Sequence, residues 1–151
     1  MPGVGERVPD FTLPSTQGQL QLSQVYETRQ VVLAFYTEDA TPNCTQELAS
    51  FKDEYPTIQE LGAEVVAVSV DSLDSHQAFC DRVGGYPFPL VSDTGREVAT
   101  AFGVLSDDGK RSRRAVYVID QQGVVVHAIP WYQPGNPMQL LEVFKALGLE
   151  V

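Results

Sequence analysis

Val31-Val32-Leu33-Ala34-Phe35-Tyr36-Thr37-Glu38-Asp39-Ala40-Thr41-Pro42-Asn43-Cys44-Thr45-Gln46-Glu47 decides the architecture. It runs from an apolar strand of the kind buried on both faces, through a short polar loop, into the start of a helix. Thr41 fits the N-cap. Pro42 fits the first helical position, where its fixed φ is suitable and its missing N–H costs nothing. Cys44 then falls at N3, from which a capping-box carboxylate ordinarily answers the open main-chain N–H groups. A sulfur in that place feels those donors and the positive end of the helix dipole, which can bring a cysteine pKa from ~8.5 down to roughly 3.5–7.5. Free cysteines are often small buried hydrophobes. The hydroxyl three residues before Cys44, the proline fixing the turn and Glu47 three residues after it favour a reactive thiolate instead.

Outward from this stretch, Val65-Val66-Ala67-Val68-Ser69-Val70 repeats the buried-strand pattern. Strand, helix, strand implies a right-handed crossover between parallel neighbours. Pro56 is expected to kink or end the first helix near Tyr55. Before the unit, Phe11-Thr12-Leu13 and Leu20-Gln21-Leu22 flank a Gln17-Gly18 turn and read as a hairpin. After it, Ser72 or Asp74 caps a helix carrying Phe79, Cys80 and Val83, closed by Gly84-Gly85. Thr94-Gly95-Arg96-Glu97 has the capping-box form and opens a short helix through Phe102, ended by Gly103. Val116–Ile119 and Val124–Ile129, joined by Asp120-Gln121-Gln122-Gly123, form an antiparallel pair. Asn136-Pro137 caps a last helix with Met138, Leu141, Phe144 and Leu147 on one face. This order is that of a thioredoxin-like α/β fold over residues 1–151: a central mixed β-sheet flanked by helices, with an N-terminal β-hairpin. Ligands of open α/β sheets sit beyond the carboxyl ends of the parallel strands, which is where Cys44 falls.

The chain has 151 residues, 43% of them hydrophobic, enough for one compact domain. A net charge of −10 argues against general affinity for nucleic acid or anionic membrane. Met1-Pro2-Gly3-Val4-Gly5-Glu6 lacks a basic n-region and an apolar h-region, so a cytoplasmic location is expected. Two cysteines in that setting point to redox or catalytic use, and Asn43-Cys44-Thr45 matches the glycosylation sequon by coincidence. With no GxGxxG, P-loop, HExxH or paired CxxC, no nucleotide, flavin or metal cofactor is expected.

Thr41-Pro42-Asn43-Cys44-Thr45-Gln46-Glu47 after Leu33-Ala34-Phe35-Tyr36 resembles the active-site motif of the peroxiredoxins, in particular the peroxiredoxin Q or bacterioferritin comigratory protein branch. The resemblance continues through Val8-Pro9-Asp10-Phe11, Val68-Ser69-Val70-Asp71-Ser72, Phe88-Pro89-Leu90-Val91-Ser92-Asp93 and Arg114-Ala115-Val116-Tyr117-Val118-Ile119-Asp120. It implies a peroxidase in which Cys44 attacks hydrogen peroxide or an organic hydroperoxide, Thr41 holds the peroxide oxygens, and Arg114 stabilises thiolate and transition state. Glu47 would orient the arginine, with Pro42 as support. An arginine is suited to this because its fork of N–H donors stays charged and meets the negative charge growing on the departing oxygen. Lys110, Arg111, Arg113 and Arg114 form a charge run, of which Lys110 and Arg111 are expected to be solvated. Arg114, next to a buried strand, is preferred over Arg113 as the catalytic cation.

The chain departs from the family pattern at Thr37, where a proline is usual, so a looser pocket is expected. Ala49 stands where many relatives place a resolving cysteine, five residues after the first. By resemblance to a subgroup with that thiol on the next helix, Cys80 is assigned as the resolving residue. It would form an intramolecular disulfide with Cys44, recycled by thioredoxin or another dithiol reductant. Closing it requires local unwinding, because Cα atoms must approach within about 7 Å. An inert Cys80 would leave a one-cysteine peroxidase, and a different class of reading is a peroxide-sensing switch acting on a partner protein. His76 is expected on the helix surface and His127 on a strand, both away from the site. Trp131 and Tyr132 are expected to anchor a loop. A monomer is expected, since that branch is commonly monomeric.

Overall fold

The computed structural model describes residues 2–149. The chain-order elements are β1 (Thr12–Ser15), β2 (Gly18–Gln21), α1 (Leu22–Tyr26), β3 (Gln30–Phe35), α2 (Pro42–Glu60), β4 (Ala63–Ser69), α3 (Leu73–Val83), β5 (Leu90–Ser92), α4 (Glu97–Ala101), β6 (Ala115–Ile119), β7 (Val125–Ile129) and α5 (Pro137–Ala146). The strands form one mixed sheet in the order β2-β1-β5-β4-β3-β6-β7. β3 and β4 pair in parallel, Val32 opposite Val65, and β5 continues the parallel set beside β4. β6 returns antiparallel to β3, and β6–β7 and β1–β2 are the expected hairpins.

Burial on both faces explains the unbroken apolar strands. Val32, Ala34, Val65, Ala67, Val116 and Val118 point to one face, covered by Leu48, Phe51 and Ile58 of α2, Phe79 of α3 and Val143 of α5. Their neighbours Val31, Leu33, Phe35, Val66, Val68 and Tyr117 point to the other, against Leu22 of α1 and Val98 of α4. With period-two alternation and helices on each side, neither set of side chains has polar company.

Three expectations about helix ends need correction. Pro56 lies inside α2, which runs on to Glu60. The proline forfeits a hydrogen bond, but Ile58 beyond it is fully buried in the core, and Leu61 N–H still reaches the Thr57 carbonyl at 3.1 Å. The capping box before α4 is absent: Arg96 adopts a left-handed φ of 59°, and the Asp93 carboxylate accepts from the N–H groups of Val98 (3.2 Å) and Ala99 (2.9 Å). On α5, Leu140, Val143, Phe144 and Leu147 make the packed stripe, whereas Met138 is 64% exposed. The other caps hold. The Ser72 hydroxyl accepts from Ser75 N–H, the Asn136 side chain accepts from Met138 and Gln139 N–H, and Gly84 closes α3 at φ 80°, a left-handed turn that glycine makes without strain.

Candidate active site

The carboxyl ends of β3, β4 and β5 converge under the loop from Tyr36 to Thr41, and α2 begins there. Thr41 is the N-cap in extended conformation and Pro42 is N1, so Cys44 sits in the first turn. The Thr41 side chain does not cap the helix; its hydroxyl donates to the Glu38 carbonyl at 3.1 Å. Cys44 has no exposed surface and borders the core formed by Tyr36, Leu48 and Phe51. Its sulfur is nevertheless in polar company, with Thr37 Oγ1 2.9 Å from Sγ. Burial pushes the thiol up, and the hydroxyls of Thr37 and Thr41 with the main-chain groups of Glu38 and Thr37 more than reverse it, leaving the pKa below the ordinary cysteine value. Thr37, expected only to loosen the pocket, is in hydrogen-bond contact with the sulfur.

Arg114 and Arg113 part company as their positions suggest. Arg114 Nη1 lies 3.5 Å from Thr37 Oγ1. Arg113 turns the other way, its guanidinium 4.3 Å from the Trp131 ring centroid and its Nη2 donating to the Gly103 carbonyl at 2.9 Å. Trp131 is 60% exposed and serves as that arginine's platform, while Tyr132 is buried and stacks on Phe51 at 5.7 Å. Arg111 pairs with Glu38 at 3.4 Å, both near half exposed. Two surface depressions reach the loop, one lined by Thr37, Ser106, Asp107, Asp108 and Arg111, the other by Ala40, Thr45, Phe79, Arg82 and Val83.

Glu47 does not orient Arg114 through a hydrogen bond. The carboxyl is fully buried, neither oxygen has a hydrogen-bond partner, and Arg114 Nε is unpartnered as well. Burial drives the Glu47 pKa well up, the neighbouring Cys44 sulfur pushes the same way, and Arg114 opposes them. A carboxyl whose folded pKa exceeds its unfolded one loses stability as pH rises through the folded value. Glu47→Gln is therefore expected to gain stability over the parent in urea unfolding as pH rises above the ordinary carboxylate range, with the gap closing in acid; a parallel pair of curves would contradict this.

His76 contradicts its expected surface position. It is fully buried, with Nδ1 2.8 Å from Asp39 Oδ2 and Nε2 2.9 Å from the Val91 carbonyl. Asp39 Oδ1 accepts from the Tyr36 hydroxyl at 2.6 Å and Oδ2 from the Ser75 hydroxyl at 2.7 Å. Asp39 N–H donates to Asp71 Oδ2 at 2.9 Å, and the Ser69 hydroxyl donates to the same oxygen at 2.7 Å. Asp39, Asp71 and His76 bring ligand-type atoms within 4.8 Å of one another, but the network already employs them in hydrogen bonds. It ties the loop to β4, β5 and α3 and holds Ala40 at φ 63°, a left-handed conformation uncommon for an L-residue with a side chain. The sequence signal was the pair of charged loop residues beside a helix whose His76 lies one turn from buried Phe79.

Cys80 lies on α3, half-buried against the Cys44 side of the core, and both thiols are free. Burial raises its pKa, the charges of Asp39 and Asp81 push the same way, and the Tyr86 main-chain N–H and, less, Lys52 only partly offset this. Lys52 Nζ also donates to the Gly85 carbonyl at 2.7 Å, so α2 grips the end of the helix that carries Cys80. His127 sits apart on β7, 3.3 Å from Glu142 of α5.

The profile of the AhpC/TSA family matches residues 4–128. This chain is similar to the putative peroxiredoxin bcp of Coxiella burnetii, with 34% identity over 128 residues that cover 81% of this chain and 84% of that one. It is 40% identical over 122 residues to the chloroplastic peroxiredoxin Q of Sedum lineare, covering 80% and 65% of the two chains. The crystal structure of peroxidoxin BcpB from Mycobacterium tuberculosis superposes with a TM-score of 0.85 at 29% identity, covering 97% of each chain.

Proposed function

Because the chain belongs to the AhpC/TSA family and is a thiol-dependent peroxidase of the peroxiredoxin Q and bcp kind, we propose that Cys44 attacks the peroxide and Cys80 resolves the product. The observation that carries this is the Cys44 sulfur in the first turn of α2, 2.9 Å from a hydroxyl and with its pKa lowered despite burial. The thiolate sulfur attacks the terminal peroxide oxygen. An S–O bond forms as the O–O bond breaks, sulfur is oxidised to the sulfenic acid, and the departing oxygen leaves as hydroxide or alkoxide and takes up a proton. Thr41, one turn from the sulfur, positions the oxygens, and the Arg114 charge answers the growing negative charge.

The Cys80 sulfur then attacks the oxidised Cys44 sulfur, an S–S bond forms, and the oxygen departs as water. A thioredoxin-type dithiol reduces the disulfide. The Lys52 contact with the Gly85 carbonyl holds the end of α3, so this end opens before the disulfide closes, and with the raised Cys80 pKa that makes resolution slower than attack. We place the protein in the cytoplasm as a monomer on its acidic charge and its bcp likeness. No helix among the described residues is long and apolar enough to cross a membrane.

Intact mass after one equivalent of hydrogen peroxide tests the pairing. Wild type is expected to lose two hydrogens, and Cys80→Ser to gain one oxygen instead. A stable oxygen adduct on wild type would make this a one-cysteine peroxidase with Cys80 as inert packing.

A further inference from the structure

We infer that Thr37 is a catalytic residue: its hydroxyl holds the Cys44 sulfur as an anion and carries the influence of Arg114 to it. The inference rests on Cys44 being the attacking residue. A guanidinium has only donors, so in the 3.5 Å contact the Thr37 oxygen accepts from Arg114 Nη1. That leaves the single hydroxyl proton for Cys44 Sγ at 2.9 Å, and Thr37 Oγ1 has no third side-chain or main-chain partner among the described residues. A thiolate accepts such a proton and a neutral thiol has less use for it, so the contact favours the charged form.

Thr41 is placed differently. Its one proton is engaged with the Glu38 carbonyl at 3.1 Å, and serving the sulfur or a peroxide requires it to turn away. Both hydroxyls favour the anionic sulfur, but Thr37 is the one in hydrogen-bond contact with it, whereas Thr41 must leave the Glu38 carbonyl to serve an incoming peroxide. The main-chain N–H of Thr37 adds to the same effect. Arg114 reaches the sulfur through an intervening polarised O–H, which lets a half-buried cation act without displacing the space that the peroxide needs.

The test is a pH titration of the thiolate ultraviolet absorbance in a Cys80→Ser background, with peroxide consumption measured separately. Thr37→Val, which exchanges the hydroxyl for a methyl at nearly constant volume, is expected to move the Cys44 midpoint up by about one pH unit or more. The rate with hydrogen peroxide below that midpoint should fall about tenfold in step. Thr37→Ser should restore both, which a merely structural role would not do. Arg114→Gln should raise the midpoint alone but add little on top of Thr37→Val, because its effect passes through the missing hydroxyl. An unmoved midpoint in Thr37→Val, or full additivity of the two changes, overturns the inference. Should Thr37→Val fail to give a native circular dichroism spectrum, Thr37→Ala carries the same expectations and the same power to refute. The titration uses resting protein, so a shifted midpoint in a chain whose Cys44 stays unoxidised by peroxide would reject Cys44 as the attacking residue and leave the Thr37 contact standing.

Discussion

Cys44→Ser is expected to lower peroxide reduction by about a thousandfold or more while leaving the fold intact. A serine hydroxyl is far weaker an acid than the Cys44 thiol, whose pKa the loop donors lower, and its oxygen cannot surrender to a peroxide the electron pair that sulfur gives up in becoming a sulfenic acid. The smaller hydroxyl still meets Thr37 and Thr41, so no buried polar group loses its partner, and the stability change should remain within about 1 kcal/mol. Peroxide consumption in the presence of a dithiol, beside a urea unfolding curve, separates the two effects. Retained turnover in Cys44→Ser would move the chemistry to Cys80. That outcome is physically disfavoured, because burial raises the Cys80 pKa whereas the hydroxyls and main-chain donors lower that of Cys44. In the proposed scheme the contrast orders the two thiols in time: the thiol of lowered pKa attacks, and the one of raised pKa resolves.

What could be read from sequence is what depends on near neighbours along the chain. The doubly buried strands, the proline one residue into α2 and the cysteine in its first turn are fixed by local pattern, and the parallel β3–β4 pair follows from the crossover between them. The choice of Arg114 over Arg113 rested on its place at the edge of β6, and the two guanidinium groups do diverge there. The misread residues are those whose surroundings come from distant segments. His76 belongs to a helix that also bears exposed polar residues, and only the docking of α3 beside β5 brings its ring to the Val91 carbonyl. Thr37 looked only like the loss of a rigid proline, because its contact with Arg114 comes from 77 residues away in sequence. Glu47 looked like a partner for that arginine, yet it is buried without a hydrogen bond to it. Pro56 predicts that α2 kinks or ends, and the helix does not end there, because burial of Ile58 beyond it carries the helix on to Glu60.

Asp39→Ala should destabilise the protein by about 3 kcal/mol, the order expected when buried hydrogen-bonding groups lose a shared acceptor. Asp39 and His76 side chains are 4% and 0% exposed, so water cannot replace what is lost. The deletion leaves His76 Nδ1, the Tyr36 hydroxyl and the Ser75 hydroxyl without their shared acceptor. The sign of the pH dependence follows from the carboxyl. Burial pushes the Asp39 pKa up, but hydrogen bonds from His76, Tyr36 and Ser75 outweigh it, and the folded value lies below the ordinary one. Its contribution is therefore complete above the unfolded aspartate pKa of ~3.9 and is lost as pH falls through the lower folded value. Urea unfolding should show the full gap between wild type and Asp39→Ala near neutrality, narrowing as pH falls below the ordinary aspartate value toward the lower folded one. A gap under about 1 kcal/mol at neutral pH would mean that the network is dispensable. The same substitution should also slow peroxide reduction, since Asp39 lies between Thr37 and Thr41 and its N–H is anchored to Asp71. Once that anchor loses its side-chain half, nothing comparable holds Ala40 in its left-handed turn, and the two hydroxyls that face Cys44 lose their fixed spacing.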